Sequence, residues 1–221
     1  MDQLLRYKAY IVRIVFDACI IMADMKKRNL SKEATREHIL KVASELFYTQ
    51  GIRAVGIDTI VSKSGVAKTT LYDHFPSKDI LVHDYLMSHD QMFWKMWELT
   101  LNLHPQSPKQ QIIDLFEMFE AGIQTPEVLG CAFLSAVSEY PEFDQPIHQL
   151  AVLHKQKVKQ GFQELAQKAG VLQPELLAEQ LLLLLNGAFA TKRVFGVNEN
   201  SLRQVAKIAK MLLNAHLAGD K

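Results

Sequence analysis

Lys68, Thr69 and Thr70, followed by Tyr72, Asp73, His74 and Lys78, gather two ammonium groups, two hydroxyls, a phenol and an imidazole within eleven residues. Lysine can donate to guanine, and threonine can bond a base edge or set its methyl against that of thymine. Tyr72, His74 and Lys78 suit phosphate oxygens, contacts that position a protein without reading sequence. Asp73 either repels phosphate or takes part in recognition. Such groups need a rigid support, and Leu71 and Phe75 supply its inner face. Residues 68–74 read as about two helical turns, roughly 10 Å, and Pro76 stops the helix at its preceding residues.

Two earlier helices are expected to hold this one. Thr35 is the expected N-cap of the first, with Ile39, Val42, Ala43, Leu46 and Phe47 at spacings of three and four and a close near Gly51. Ile57, Ile60 and Val61 form a second short apolar face. Gly65 ends it, being the residue best able to take positive φ at a helix C-terminus. Val66 then re-enters the core. Three short helices with a glycine turn between the last two give helix-turn-helix geometry.

The segment 35–81 resembles the DNA-binding domain of the TetR family of bacterial regulators. In that family F-x-x-x-G leads to D-x-I-x-x-x-x-G-V-x-K-x-x-L-Y-x-H-F-x-x-K. Phe47, Gly51, Asp58, Ile60, Gly65, Val66, Lys68, Leu71, Tyr72, His74, Phe75 and Lys78 all fall in place. The resemblance implies phosphate contacts from Tyr72, His74 and Lys78, and base-proximal positions at Lys68, Thr69, Thr70 and Asp73. Three departures stand out. Val55 and Gly56 replace a frequent hydroxyl pair, Ala67 replaces a frequent serine cap, and Thr69 replaces a frequent glycine. Altered base preference is the expected result.

The chain has 25 basic and 24 acidic residues among 221, a formal net charge of only +1. The charge is uneven: 26–80 carries ten Lys or Arg against six Asp or Glu, whereas 81–221 carries three more acidic than basic residues. Only the first region has the footprint expected for a polyanion partner. Cys19 and Cys131 match no metal-ligand or C-x-x-C spacing, so a reducing cytoplasm is the expected setting. A small buried hydrophobe is the expected role of Cys131, ahead of a thiol sensor. The apolar tract 11–21 is interrupted by Arg13 and Asp17, too short and too charged to span a bilayer. Translation is expected to begin at Met22 or Met25; the alternative is an amphipathic arm packed on a dimer.

Past Lys78 the chain reads as helical throughout. Ser77 is expected to cap a helix to about 103, Ser107 and Pro108 to start another, and Thr125, Pro126 and Glu127 a third. Pro141 and Pro146 bracket a turn before a helix to Gly170; Pro174 opens the most apolar helix, ending near Gly196; 201–217 is the last. Leu181 to Leu185 point in every direction on a helix, which must therefore be covered on more than one side. The stripe Val205, Ile208, Ala209, Leu212 and Leu213 has no evident third layer within the chain. The family resemblance implies a homodimer through the last two helices. Trp97, Phe116, Phe119 and Phe133 are candidates for lining a pocket for a small apolar or aromatic effector, with ordinary core packing as the alternative. The segment 130–141, GCAFLSAVSEYP, is similar to a pattern in one large branch of TetR-like regulators.

Catalysis finds no support. The pairs His83–Asp84 and His89–Asp90 lie six residues apart, about 120° around a helix, so they do not converge on an ion; His148 and His154 share that spacing. No zinc-protease motif, phosphate loop or nucleophile elbow occurs. The expected protein is all-α and cytoplasmic, with no enzymatic activity, metal, cofactor or membrane partner. An N-terminal extension, 1–31, precedes a DNA-binding domain, 32–92, and a larger helical effector-binding and dimerisation domain, 93–221. It is expected to act as a ligand-responsive regulator, a repressor binding a near-palindromic double-stranded DNA operator. The alternatives are an activator or co-repressed regulator, and a helical sensor or interaction protein that has lost DNA binding.

Overall fold

A computed structural model describes residues 31–218, so the apolar tract, the candidate start sites and Cys19 lie outside the described residues. Among the described residues the fold is all-α: nine α-helices, one short 3-10 helix and no strand. They fall into two compact units. One holds 31–92 with Ala132–Ala151, the other Phe93–Cys131 with 152–218.

In the first unit, α1 (Lys32–Gln50) is capped by Ser31, whose hydroxyl accepts from the Ala34 N–H at 3.2 Å. This corrects the expected cap at Thr35, which lies inside the helix and donates its hydroxyl back to the Ser31 carbonyl at 3.1 Å. Gly51, with φ 93°, closes α1 through its N–H to the Phe47 carbonyl. Then follow α2 (Ile57–Ser64) and α3 (Lys68–His74), joined through Gly65 in the left-handed region at φ 69°. Neither Gly56 nor Ala67 supplies a side-chain cap, yet both helices form. The Gly56 carbonyl accepts from Ile60, and that of Ala67 from Leu71. Tertiary packing does the rest, because Ile39, Ala43, Ile60, Leu71 and Phe75 are fully buried.

Helix α4 (Lys78–Leu101) begins with Ser77 accepting from the Ile80 N–H at 3.2 Å, as its sequence implies. Its first half buries Leu81, Val82, Tyr85 and Leu86, and Tyr85 meets Phe47 edge-on at 5.6 Å. An ion pair between Arg36 and Asp84 ties α1 to α4, and the Arg36 guanidinium lies 4.7 Å over the Phe75 ring. Helix α6 (Ala132–Glu139) and the start of α7 (Pro146–Lys168) complete this unit.

The second unit takes the end of α4, α5 (Pro108–Ile123), most of α7, α8 (Pro174–Phe195) and α9 (Val205–Ala218), the last entered through the 3-10 turn Asn200–Gln204. Its core is aromatic and leucine-rich. Phe116 stacks on Phe162 at 5.5 Å, Trp97 meets Phe162 at 5.0 Å, and Phe93 stacks on Phe119 at 5.8 Å. The helix expected from Thr125 does not form. Its hydroxyl donates to the Ala121 carbonyl, and its own carbonyl accepts from the buried Lys192 ammonium at 2.6 Å. Residues 125–131 therefore stay irregular until Ala132. The last stripe also differs from expectation: Val205, Ala209 and Leu213 turn inward against α5 and α8 and are buried, while Ile208 faces out.

Candidate nucleic-acid interface

Leu71 and Phe75 are fully buried and fix α3 against α1 and α2. The remaining positions of α3 are thereby presented to solvent. Lys68, Thr69, Tyr72 and Asp73 are exposed, and Thr70 and His74 are half-buried. Lys68 does not project freely, because its ammonium donates to the Asp58 carboxylate at 2.8 Å. That hydrogen bond, with Asp58's charge, raises the Lys68 pKa above its ordinary value. The pair sits between the first turns of α2 and α3 on an open surface.

Lys78 begins α4, half-buried, with its ammonium 6.0 Å over the Phe47 ring. Burial pushes its pKa down, against the opposing charges of Glu139 and Asp79. The arrangement offers phenol, hydroxyl, imidazole and ammonium donors around one short helix, the chemistry that phosphate and base edges require.

One carboxylate at this unit carries no sequence signal. Glu139, the last residue of α6, accepts from the Ile52 N–H at 2.9 Å and from the Arg53 N–H at 2.6 Å. Arg53 in turn lies 5.6 Å over the Tyr140 ring. Partners 86 and 87 residues away leave no local spacing to read.

The candidate effector residues are all buried. Trp97, Phe116 and Phe119 belong to the core of the second unit, whereas Phe133 lies in α6 of the first. Gly161 on α7 gives Trp97 its place, since a Cβ there would stand 2.9 Å from the indole Cζ2. Cys131 is a half-buried free thiol. His83 bonds its neighbour Asp84 at 2.9 Å, His148 pairs with the Tyr140 carbonyl at 2.7 Å, and His154 packs edge-on against Phe93 at 5.1 Å. Among the described residues no cluster of three or more His, Cys, Asp or Glu could hold a metal, and no helix is long and apolar enough to cross a membrane.

Residues 39–85 match the family model described as bacterial regulatory proteins, tetR family. The HTH-type transcriptional regulator YjdC of Escherichia coli (strain K12) is 26% identical over 156 residues, 70% of this chain and 81% of that relative. The HTH-type transcriptional activator FasR of Mycolicibacterium smegmatis is 40% identical over 55 residues, a quarter of each chain. The solved structure of a TetR-family transcriptional regulator from Streptomyces coelicolor superimposes with a TM-score of 0.75 at 29% identity, covering 83% of this chain and 94% of that one.

Proposed function

Because the chain belongs to the TetR/AcrR family of transcriptional regulators, we propose that it is a homodimeric repressor which binds a near-palindromic operator and is released by a small apolar or aromatic effector. The observation that carries the DNA-binding half is α3 itself. Leu71 and the capping Phe75 are locked inward, while Lys68, Thr69, Tyr72 and Asp73 stand in solvent. Lys68, Thr69, Thr70 and Asp73 face base edges in this reading, and Tyr72, His74 and Lys78 hold phosphates.

Support for the dimer comes from the outer face of α8 and α9. Leu183 is 73% exposed and Met211 61%, with Leu176, Val194 and Ile208 exposed as well. At 100° per residue, Leu176, Leu183, Gly187, Ala190 and Val194 fall along one line of α8. Small residues between large ones let a second copy approach closely. Paired about a two-fold axis, α8 and α9 of both copies make a four-helix interface, and the matching operator has two half-sites one DNA turn apart, about 34 Å.

An effector that entered the aromatic core around Phe93, Trp97, Phe116 and Phe119 would act only by binding one spacing of the α3 helices better than the other. Activation is the second reading, motivated by the match to FasR, itself an activator. Transcription in vitro from an enriched operator separates the two: repression predicts fewer transcripts as protein is added, activation more. Anisotropy with the same duplex tests the first step, and a parent protein that binds no duplex above background would remove the reading.

A further inference from the structure

Glu139 lies in a segment that the DNA-binding domain model, residues 39–85, does not reach. Its carboxylate nevertheless closes the turn that leads into α2. Oε1 accepts from the Ile52 N–H and Oε2 from the Arg53 N–H, two successive backbone donors forming an anion-holding concavity. Gly51 leaves room for this, because a Cβ there would stand 3.4 Å from Oε1, on a backbone whose φ of 93° already favours glycine. The stretch so held is short. Ile52 and Val55 are buried at its ends, and Gly56 starts α2 without a side-chain cap. The same carboxylate's charge favours the ammonium form of Lys78.

We propose that Glu139 is a positioning residue for DNA recognition: its two oxygens fix residues 51–56, and through them the angle at which α2 supports α3. The inference rests on the DNA-binding reading above. In solution the clamped arrangement is the binding-competent one, so apparent affinity falls with the fraction of molecules in which the clamp is closed. Replacing Glu139 by Gln keeps the shape but leaves one backbone N–H facing an amide that also donates.

Electrostatics alone and positioning predict opposite signs. Removing a negative charge beside Lys78 would, by charge alone, strengthen binding to a phosphate backbone. Positioning predicts that Glu139→Gln binds about tenfold more weakly, the loss expected when the closed fraction falls to about a tenth. The probe is a duplex enriched from fragmented genomic DNA by the full-length parent, read by fluorescence anisotropy at one salt concentration. Hydrogen exchange of the 51–56 amides is measured alongside, with the α1 amides of 39–47 as the control for intact folding.

Weaker binding together with faster exchange at 51–56, and unchanged protection in α1, is the expected result. Glu139→Asp, which keeps a carboxylate on a shorter arm, should fall between parent and Gln and serves if the Gln variant does not fold. Unchanged or tighter binding by both variants overturns the inference, even with faster exchange, because the clamp is then structural only. If the parent itself enriches no duplex, the DNA-binding reading fails and the inference falls with it.

Discussion

The Lys68 ammonium and the Asp58 carboxylate lie 2.8 Å apart, joining the first turn of α3 to the first turn of α2. Both side chains are more than half exposed, and an ion pair in that setting contributes little to folding because water screens it and two long side chains must be ordered. Its consequence is orientation. The pair fixes the direction of the Lys68 side chain, which faces base edges in the proposed reading.

Asp58→Ala is therefore expected to leave the thermal unfolding midpoint unchanged, whereas Lys68→Ala is expected to weaken operator binding roughly ten- to hundredfold, the range of one lost base contact. Calorimetry of the first and anisotropy of the second check this. A large drop in melting temperature for Asp58→Ala would show the pair to be structural instead.

Gly161→Ala should destabilise the second unit. The added methyl would meet Trp97 at 2.9 Å, and that indole is only 4% exposed and hemmed in by Phe93, Trp94 and Phe162. Overpacking costs about 1–3 kcal/mol, offset in part by the roughly 1 kcal/mol helix preference of alanine over glycine. A net loss of about 1 kcal/mol in urea unfolding, with a shifted tryptophan emission, is the expected outcome; a gain in stability would refute the packing argument.

The start of α9 is held from a distance. Glu120 on α5 accepts from the Ala206 N–H at 2.9 Å, placing a carboxylate at the positive end of that helix. Glu120→Gln is expected to cost about 1 kcal/mol. Chemical denaturation monitored by circular dichroism measures it.

What could be read from the sequence followed the range over which each cause acts. Gly65, the cap at Ser77 and the closes near Gly51, Gly170 and Gly196 depend on local backbone chemistry, and the helices end accordingly. The inward pair Leu71 and Phe75 follows from period alone. Thr35 misled because a threonine hydroxyl bonds equally well to a carbonyl one turn back inside a helix. Thr125 misled because the buried Lys192 takes its carbonyl from 67 residues away. The inward turn of Val205, Ala209 and Leu213 was hidden likewise, since apolar spacing cannot say whether the same chain or another copy covers a face. Glu139 was the least legible: its partners are backbone N–H groups, which every residue but proline carries.

The exposed face of α8 and α9 supplies a further expectation. Leu183→Glu combined with Met211→Glu should turn a dimer into a monomer in sedimentation velocity, with the fold kept, since both side chains are largely outside the core. Operator affinity should fall with it, because two half-sites then bind independently. A double variant that stays dimeric would place the interface elsewhere.

The most direct test is selection of fragmented genomic DNA on the purified full-length protein beside the Lys68→Ala/Tyr72→Ala variant at the same salt concentration. Enrichment of an inverted repeat by the parent alone is the predicted result. Recovery of the same unenriched background by both proteins, across several salt concentrations, would contradict it.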